Sequence, residues 1–166
     1  MNAATLMGLL ISVIEFGTLL YLAALGETIA ERAGVLNLGV EGMMAMGGMT
    51  AFWVGVETGN PWAALVAAII VGGLFAMIHG VVSVVLGADQ VVSGLALTIF
   101  GLGLSAFLGR DLIVERPNAV FEPVNLGPLS EIPFLGETIF SMTAVSWLAI
   151  ICGIATWFSS HEPERD

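Results

Sequence analysis

Five long apolar stretches divide the chain, and the pattern within each is continuous rather than alternating. They are residues 6–25, 35–56, 62–86, 91–108 and 139–158. A helix needs about 20 apolar residues to cross the hydrocarbon core of a bilayer. Runs of this length therefore predict an all-α membrane protein with about five transmembrane helices, whereas the strands of a β-barrel would alternate.

Turn-forming residues separate these stretches, at Gly59-Asn60-Pro61, Gly87-Ala88-Asp89 and Gly109-Arg110-Asp111. The longest polar connection, residues 109–138, contains four of the six prolines, two arginines and five acidic residues. This composition predicts a solvated loop outside the lipid, with a short interfacial element at residues 132–135. The whole chain is expected to form a single transmembrane bundle.

Composition excludes a water-soluble domain, because 57% of the 166 residues are hydrophobic and only 11% are charged. The formal net charge is −10 and the chain has no lysine, so it lacks the basic surface that nucleic-acid binding requires. Charge does not set the orientation. Five spans place Arg32 and Arg165 on one side and Arg110 and Arg116 on the other, and the positive-inside rule then gives a tie.

Rows of small residues at four-residue spacing mark two of the predicted helices. Such rows let helix backbones approach closely in lipid, where packing drives association. The alternative is that glycine is simply common in membrane helices, since the chain has 21. The rows are Gly72, Ala76 and Gly80 in the third segment, and Gly101, Ser105 and Gly109 in the fourth.

Three polar side chains inside apolar segments form a candidate intramembrane network: Ser12, Glu15 and His79. Ser12 and Glu15 share one face of the first helix. Because a charge in hydrocarbon is costly, Glu15 either lines a polar path or locks the bundle through hydrogen bonds, and we favour the second interpretation. For His79 we likewise favour a packing role over a proton relay. No second histidine or cysteine has ligand spacing, so no metal site is predicted.

The start of the second segment holds the most informative pattern. A charged stretch, residues 27–32, runs into an apolar one that contains Asn37, Gly39, Glu41 and Gly42. This order predicts an irregular entry followed by a helix, with Asn37 accepting from unpaired N–H groups and Glu41 in the first turn. Irregular backbone at membrane depth is buried in protein or lines a cavity. The alternative is a capped helix start at the membrane interface, with Glu41 in water.

Three sequence motifs resemble one family of transporters. They are AERAGVLNLGVEGMM at residues 30–44, GADQVVSGLALTIFGLG at residues 87–103 and IPFLGETIF at residues 132–140. All three are similar to permease subunits of ATP-binding-cassette importers that serve simple sugars and nucleosides, relatives of the ribose and branched-chain amino-acid permeases. The resemblance covers residues 18–158.

The resemblance implies a multi-pass subunit of the cell membrane that forms a translocation path. The implied partners are a second permease chain, identical or different, a pair of cytoplasmic ATPase subunits and an external substrate-binding protein. The permease itself needs no cofactor, because ATP is bound by the partner subunits. The implied substrate pathway includes Asn37, Gly39, Glu41 and Gly42. The implied orientation places residues 109–138 outside the cell and the tail inside.

Members of this family are longer than this chain. After the fifth span they continue into a cytoplasmic segment that contacts the ATPase. The resemblance therefore leads us to expect the N-terminal half of a permease, truncated before that segment.

Two other functions are compatible with the residues. A small ion- or proton-coupled carrier would use Glu15, Glu41 and His79 as its relay, and a non-transporting structural subunit would only bind partners. An enzyme is not expected, because the sequence has no nucleophile–base set, no phosphate-binding loop and no cluster of metal ligands.

Overall fold

The structure is a computed structural model that describes residues 2–116, 119–124, 126–131, 135–138, 140 and 142–160. Within these ranges the chain forms helices joined by turns, which confirms the predicted all-α class. The α-helices are α1 (Ala3–Arg32), α2 (Val40–Thr58), α3 (Pro61–Gly80), α4 (Gln90–Gly109), α5 (Leu135–Thr138) and α6 (Ala144–Ser160). A π-helical turn, Val81–Val85, extends α3.

Helix α1 continues through the charged residues 27–32, beyond residue 25, where the first apolar segment was predicted to end. The predicted end was too early because charged residues such as Glu31 and Arg32 are good helix formers. The helix ends instead at Gly34, whose positive φ of 81° suits glycine. Gly34 N–H donates to Glu31 O and Val35 N–H to Ala30 O. This pair of bonds is a Schellman motif.

The boundaries of α3 and α4 follow from capping side chains. Asn60 Oδ1 accepts hydrogen bonds from the N–H groups of Trp62 and Ala63 at 2.9 and 3.3 Å. Asp89 Oδ1 accepts from Val92 N–H at 2.9 Å. Both residues satisfy N–H groups that a helix start leaves unpaired, so these two turns were located correctly from sequence.

The fifth segment begins later than predicted, because α6 starts at Ala144 rather than at residue 139. Thr143 precedes it and its hydroxyl accepts a long bond from Ser146 N–H at 3.4 Å. In the loop of residues 109–138 the structure has 3-10 turns at Arg110–Leu112 and Gly127–Glu131. Of the predicted interfacial element, residues 132–134 lie outside the described residues, and α5 begins at Leu135.

By length and composition, three helical stretches of the described chain can cross a membrane: Thr5–Arg32, Pro61–Val85 and Gln90–Leu112. The apolar part of α6, Ala144–Phe158, is shorter. Helix α2 carries Glu41 and Glu57 near its two ends. The chain is an integral membrane protein, and three candidate spans with one shorter apolar helix fit the predicted count of five roughly.

Chain contacts divide the molecule into two compact units. The second unit, Gly26–Val120, contains α2, which packs against both α3 and α4. Its buried apolar cluster joins Met46, Phe75 and Leu97, one residue from each of these helices. Outward-facing side chains such as Ile69 and Ile99, which are 63% and 74% exposed, form the apolar surface expected of a helix in lipid.

The first unit comprises the first 25 residues together with residues 121–166. Its described contacts join the first helix to α6. Thr18 Oγ1 lies 3.2 Å from Ser146 Oγ, and the ring of Tyr21 lies against Gly153, where a Cβ would have no room.

The predicted rows of small residues have different surroundings. A Cβ added at Gly101 would lie 2.6 Å from Gly42 O, and one at Gly109 would lie 3.3 Å from Met49 Cγ. At Gly72 and Gly80 no described atom lies within 4 Å of an added Cβ. Ala76 is exposed, and the Ser105 hydroxyl donates to Leu102 O on its own helix.

Candidate functional site

The connection between α1 and α2, residues 33–39, is non-helical, which confirms the predicted irregular start of the second span. Asn37 lies at its centre and is half-buried. Asn37 Oδ1 accepts a hydrogen bond from Gly39 N–H at 3.0 Å, a local turn that asparagine commonly forms. Asn37 N–H in turn donates to Glu27 Oε1 on α1 at 3.0 Å. The connection is therefore tied both to itself and to the preceding helix.

Side chains from α4 hold the same backbone from the other side. Gln90 Oε1 accepts from Leu36 N–H at 2.7 Å, and Gln90 Nε2 donates to Gly34 O at 3.4 Å. The Thr98 hydroxyl donates to Leu38 O at 2.7 Å. A buried backbone group without a partner is costly, and these bonds supply partners to a segment that has no helix or sheet of its own.

His79 on α3 completes the set of contacts. Its side chain is 3% exposed, with Nε2 3.1 Å from Leu36 O and Nδ1 3.1 Å from Ser93 Oγ. Because a carbonyl can only accept, Nε2 donates to Leu36 O, and Nδ1 is paired with the Ser93 hydroxyl, which can either donate or accept. His79 thus joins α3, α4 and the connection by hydrogen bonds, and the π-helical turn follows two residues later.

Glycines allow the backbones to approach closely. A Cβ at Gly42 would lie 2.5 Å from Leu97 O, and one at Gly94 would lie 2.8 Å from Leu38 N. Real Cβ atoms do not approach other atoms this closely, so the start of α2 and the connection lie directly on the backbone of α4. Gly39 and Gly42 are both buried.

Glu41 lies in the first turn of α2, as predicted. The positive end of the helix dipole favours a carboxylate there. Its side chain is exposed on the described chain. Together, Asn37 and Glu41 place two polar groups beside an otherwise apolar group of helices. The Asn37 amide can both donate and accept hydrogen bonds, and the Glu41 carboxylate can accept them.

The second oxygen of Glu27 is a polar atom without a partner. Glu27 Oε2 is buried and makes no hydrogen bond, whereas Oε1 accepts from Asn37 N–H. Leaving a carboxylate oxygen unpaired costs free energy.

The other candidate residues lie in different surroundings. Glu15 is exposed, and the Ser12 hydroxyl donates to Gly8 O on its own helix at 3.0 Å. The described hydrogen bonds of the His79 side chain are the two given above. No group of three or more metal-ligating side chains occurs within the described ranges.

Sequence reasoning missed Glu27, Gln90 and Thr98. Each acts on backbone groups distant in sequence, so local patterns do not reveal the contact. Gln90 did offer a signal, because it is the chain's single glutamine and stands at the start of an apolar segment. A lone amide in that position needs a partner.

Comparison with known proteins finds relatives along almost the whole chain. The family model described as branched-chain amino acid transport system, permease component, matches residues 9–160. A glucose ABC transporter permease protein of Haloferax volcanii, TsgC13, whose assignment is provisional, is 41% identical over 155 residues, covering 91% of this chain and 47% of that protein.

Two bacterial proteins are also similar. The guanosine ABC transporter permease protein NupQ of Bacillus subtilis is 34% identical, covering 90% of this chain and 52% of its own length. The nucleoside ABC transporter permease protein NupC of Lactococcus lactis is 29% identical, covering 93% and 52%. The chain thus spans about half the length of these relatives. No solved structure gives a significant match.

Proposed function

Because the chain belongs to the family of branched-chain amino acid transport system permease components, we propose that it forms part of the translocation path of an ATP-binding-cassette importer. The match over residues 9–160 carries this proposal. The family is a transport component rather than an enzyme, and its members are multi-pass proteins of the cell membrane. The family resemblance drawn from the motif at residues 30–44 is confirmed by this match.

The proposed substrate is a simple sugar or a nucleoside. Relatives named for glucose, for guanosine and for nucleosides support this class. These solutes share hydroxyl groups, which a path can recognise with a few well-placed polar groups in mostly apolar surroundings.

The proposed partners are a second permease chain, two cytoplasmic ATPase subunits and an external binding protein. In this arrangement the chain performs no chemistry. It moves between inward- and outward-open forms, and each ligand state must favour one form through different contacts. The proposed orientation places residues 109–138 outside the cell.

The segment Asn37–Gly42 is our proposed stretch of the path. Its support is geometric, because this polar connection is packed on the backbone of α4 at Gly94 and Leu97. It combines a half-buried amide, Asn37, with an exposed carboxylate, Glu41. Discontinuous helices of this kind form binding sites in many transporters.

Uptake measurements test the proposal. The uptake of labelled glucose or labelled guanosine is measured in cells that carry the complete importer, with this chain either deleted or restored. We expect Asn37→Ala and Glu41→Ala to lower the rate per importer in the membrane. Asn60→Ala is the matched control, because Asn60 caps α3 and lies outside the proposed path, so it should change only the amount of importer.

The alternatives predict other results. Uptake by the purified chain in liposomes, driven by a pH gradient without any ATPase, would favour an ion-coupled carrier that uses Glu15, Glu41 and His79. Unchanged uptake of both labelled solutes after deletion of the chain would favour a structural subunit.

A further inference from the structure

We propose that Gln90 and Thr98 are positioning residues of the transport path, through which α4 fixes the place of Asn37. This inference rests on the proposed function, because it assigns the control of that same segment. Neither side chain is expected to touch the solute. Each acts on the backbone that carries Asn37.

The side-chain hydrogen bonds that the helices make to the backbone of the connection divide unequally. Helix α1 supplies one, through Glu27 to Asn37 N–H, beside the backbone bonds that Gly34 and Val35 make at its C-terminal end, and α3 supplies one, from His79 to Leu36 O. Helix α4 supplies three, two through Gln90 and one through Thr98. The α4 bonds act on both sides of Asn37, at Leu36 and at Leu38.

The side-chain amide of Gln90 bonds to the backbone of the connection in the way that a neighbouring β-strand would. Its oxygen and nitrogen bond to Leu36 N–H and Gly34 O, so one planar group holds two backbone positions. A side chain with only an acceptor would hold one of them. This two-sided contact restricts rotation of the backbone that leads into Asn37.

Close steric contacts couple the position of the connection to that of α4. An added Cβ at Gly94 would lie 2.8 Å from Leu38 N, and one at Gly101 would lie 2.7 Å from Gly42 Cα. Backbones in such contact cannot slide without breaking the packing. A displacement of α4 during transport would therefore carry Asn37 with it. Helix α1, by contrast, reaches Asn37 itself through a single side-chain bond in the described structure, from Glu27.

Hydrogen exchange on the purified full chain tests whether Gln90 holds the backbone of the connection, without any measurement of transport. In Gln90→Leu, amide exchange over residues 34–40 should become roughly threefold to tenfold faster, the effect of losing one or two net hydrogen bonds. Exchange over residues 62–72 of α3 should not change. Gln90→Glu keeps the acceptor for Leu36 N–H and should recover most of the protection. Unchanged exchange over residues 34–40, or equally faster exchange throughout α2–α4, would overturn the inference.

In the complete importer, a matched pair of threonines tests whether the contact between Thr98 and the connection affects transport. Thr98 donates to Leu38 O on the connection, whereas Thr50 donates to Met46 O within its own helix. Thr98→Val should lower the maximal uptake rate per importer about threefold, with the half-saturating concentration unchanged, and Thr50→Val should alter neither. A purely structural role would change only the amount of importer.

The positioning role of Gln90 and Thr98 and the proposed transport path can be disproved separately. If Asn37→Ala lowers uptake per importer while Gln90→Leu and Thr98→Val do not, the positioning role is overturned and the path stands. If Asn37→Ala also leaves uptake per importer unchanged, the proposed path itself is overturned.

Discussion

Two helices of the second unit carry the same sequence signal and have different environments. Helix α3 has the row Gly72, Ala76 and Gly80, and α4 has a row that begins at Gly101. On α4 the row meets another backbone, since an added Cβ at Gly101 would lie 2.6 Å from Gly42 O. On α3 no described atom lies within 4 Å of a Cβ at Gly72 or Gly80.

The difference shows what makes a small residue a packing residue. The α4 contact requires a glycine on both partners, because Gly101 faces Gly42 and each would clash if it carried a side chain. The α3 row has no such counterpart within the described chain. Four-residue spacing identifies a surface that permits close approach, but the complementary glycine on another helix decides whether the approach occurs.

The largest expected effect is at the glycine pair. Gly101→Ala would place a methyl group 2.7 Å from Gly42 Cα, so the helices must separate. We expect a loss of about 3 kcal/mol in stability, the upper range for overpacking. Thermal unfolding of the purified chain in detergent measures it. A loss no greater than that of Gly72→Ala would remove the distinction between the rows.

His79 tests whether α3 reaches the connection through side-chain bonds rather than through its small residues. His79→Leu leaves Leu36 O without its partner and removes the bond to Ser93. The expected loss is about 1–3 kcal/mol, the cost of a buried unsatisfied polar group. His79→Gln retains a donor and should recover part of it. Equal losses in the two variants would mean that packing volume, not hydrogen bonding, holds α3 to the connection.

Glu27 is the residue of α1 whose side chain bonds to the connection. Glu27→Leu removes the acceptor of Asn37 N–H and should cost about 1 kcal/mol. Glu27→Gln keeps an acceptor and removes a charge whose second oxygen is buried without a partner. We expect it to be neutral or stabilising in a thermal unfolding assay. A Glu27→Gln loss as large as that of Glu27→Leu would show that the charge itself is needed.

The smallest effect is expected on the open row. Gly72→Ala meets no described atom within 4 Å, and alanine is the better helix former by up to about 1 kcal/mol. The variant should therefore be neutral or slightly stabilising in the purified chain. If the row contacts the second permease chain that we propose as a partner, the same variant should weaken the assembly of the two chains, which their co-purification would measure.

Much of the fold follows from local chemistry. Asn60 and Asp89 were recognised because capping depends on nearby N–H groups, and the apolar runs were recognised because they need only length. The end of α1 was misplaced, since the charged residues Glu31 and Arg32 continue the helix and the chain turns only at Gly34, which adopts a positive φ. The apolar run at residue 139 likewise gave no sign that α6 starts at Ala144.

The candidate site was found only in part, for a physical reason. Asn37 and Gly39 interact with each other over two residues, so their turn is visible in sequence. Gln90 and Thr98 bond to backbone groups 54 to 60 residues away. Backbone groups are the same at every position, so no pattern of residue types identifies which ones a distant side chain will reach.

Solvent access at position 41 shows whether the start of α2 lines a transport path. In a Cys152→Ser background, Glu41→Cys in the assembled importer should react with a water-soluble maleimide, because we propose that this residue lines the path. Ile69→Cys is the control, since Ile69 is an outward-facing apolar side chain, 63% exposed, and should react only with a lipid-soluble reagent. We expect rapid reaction at position 41, and we expect it to slow while labelled glucose or guanosine is being transported. Reaction at position 41 that matches position 69, with no response to either solute, would contradict it.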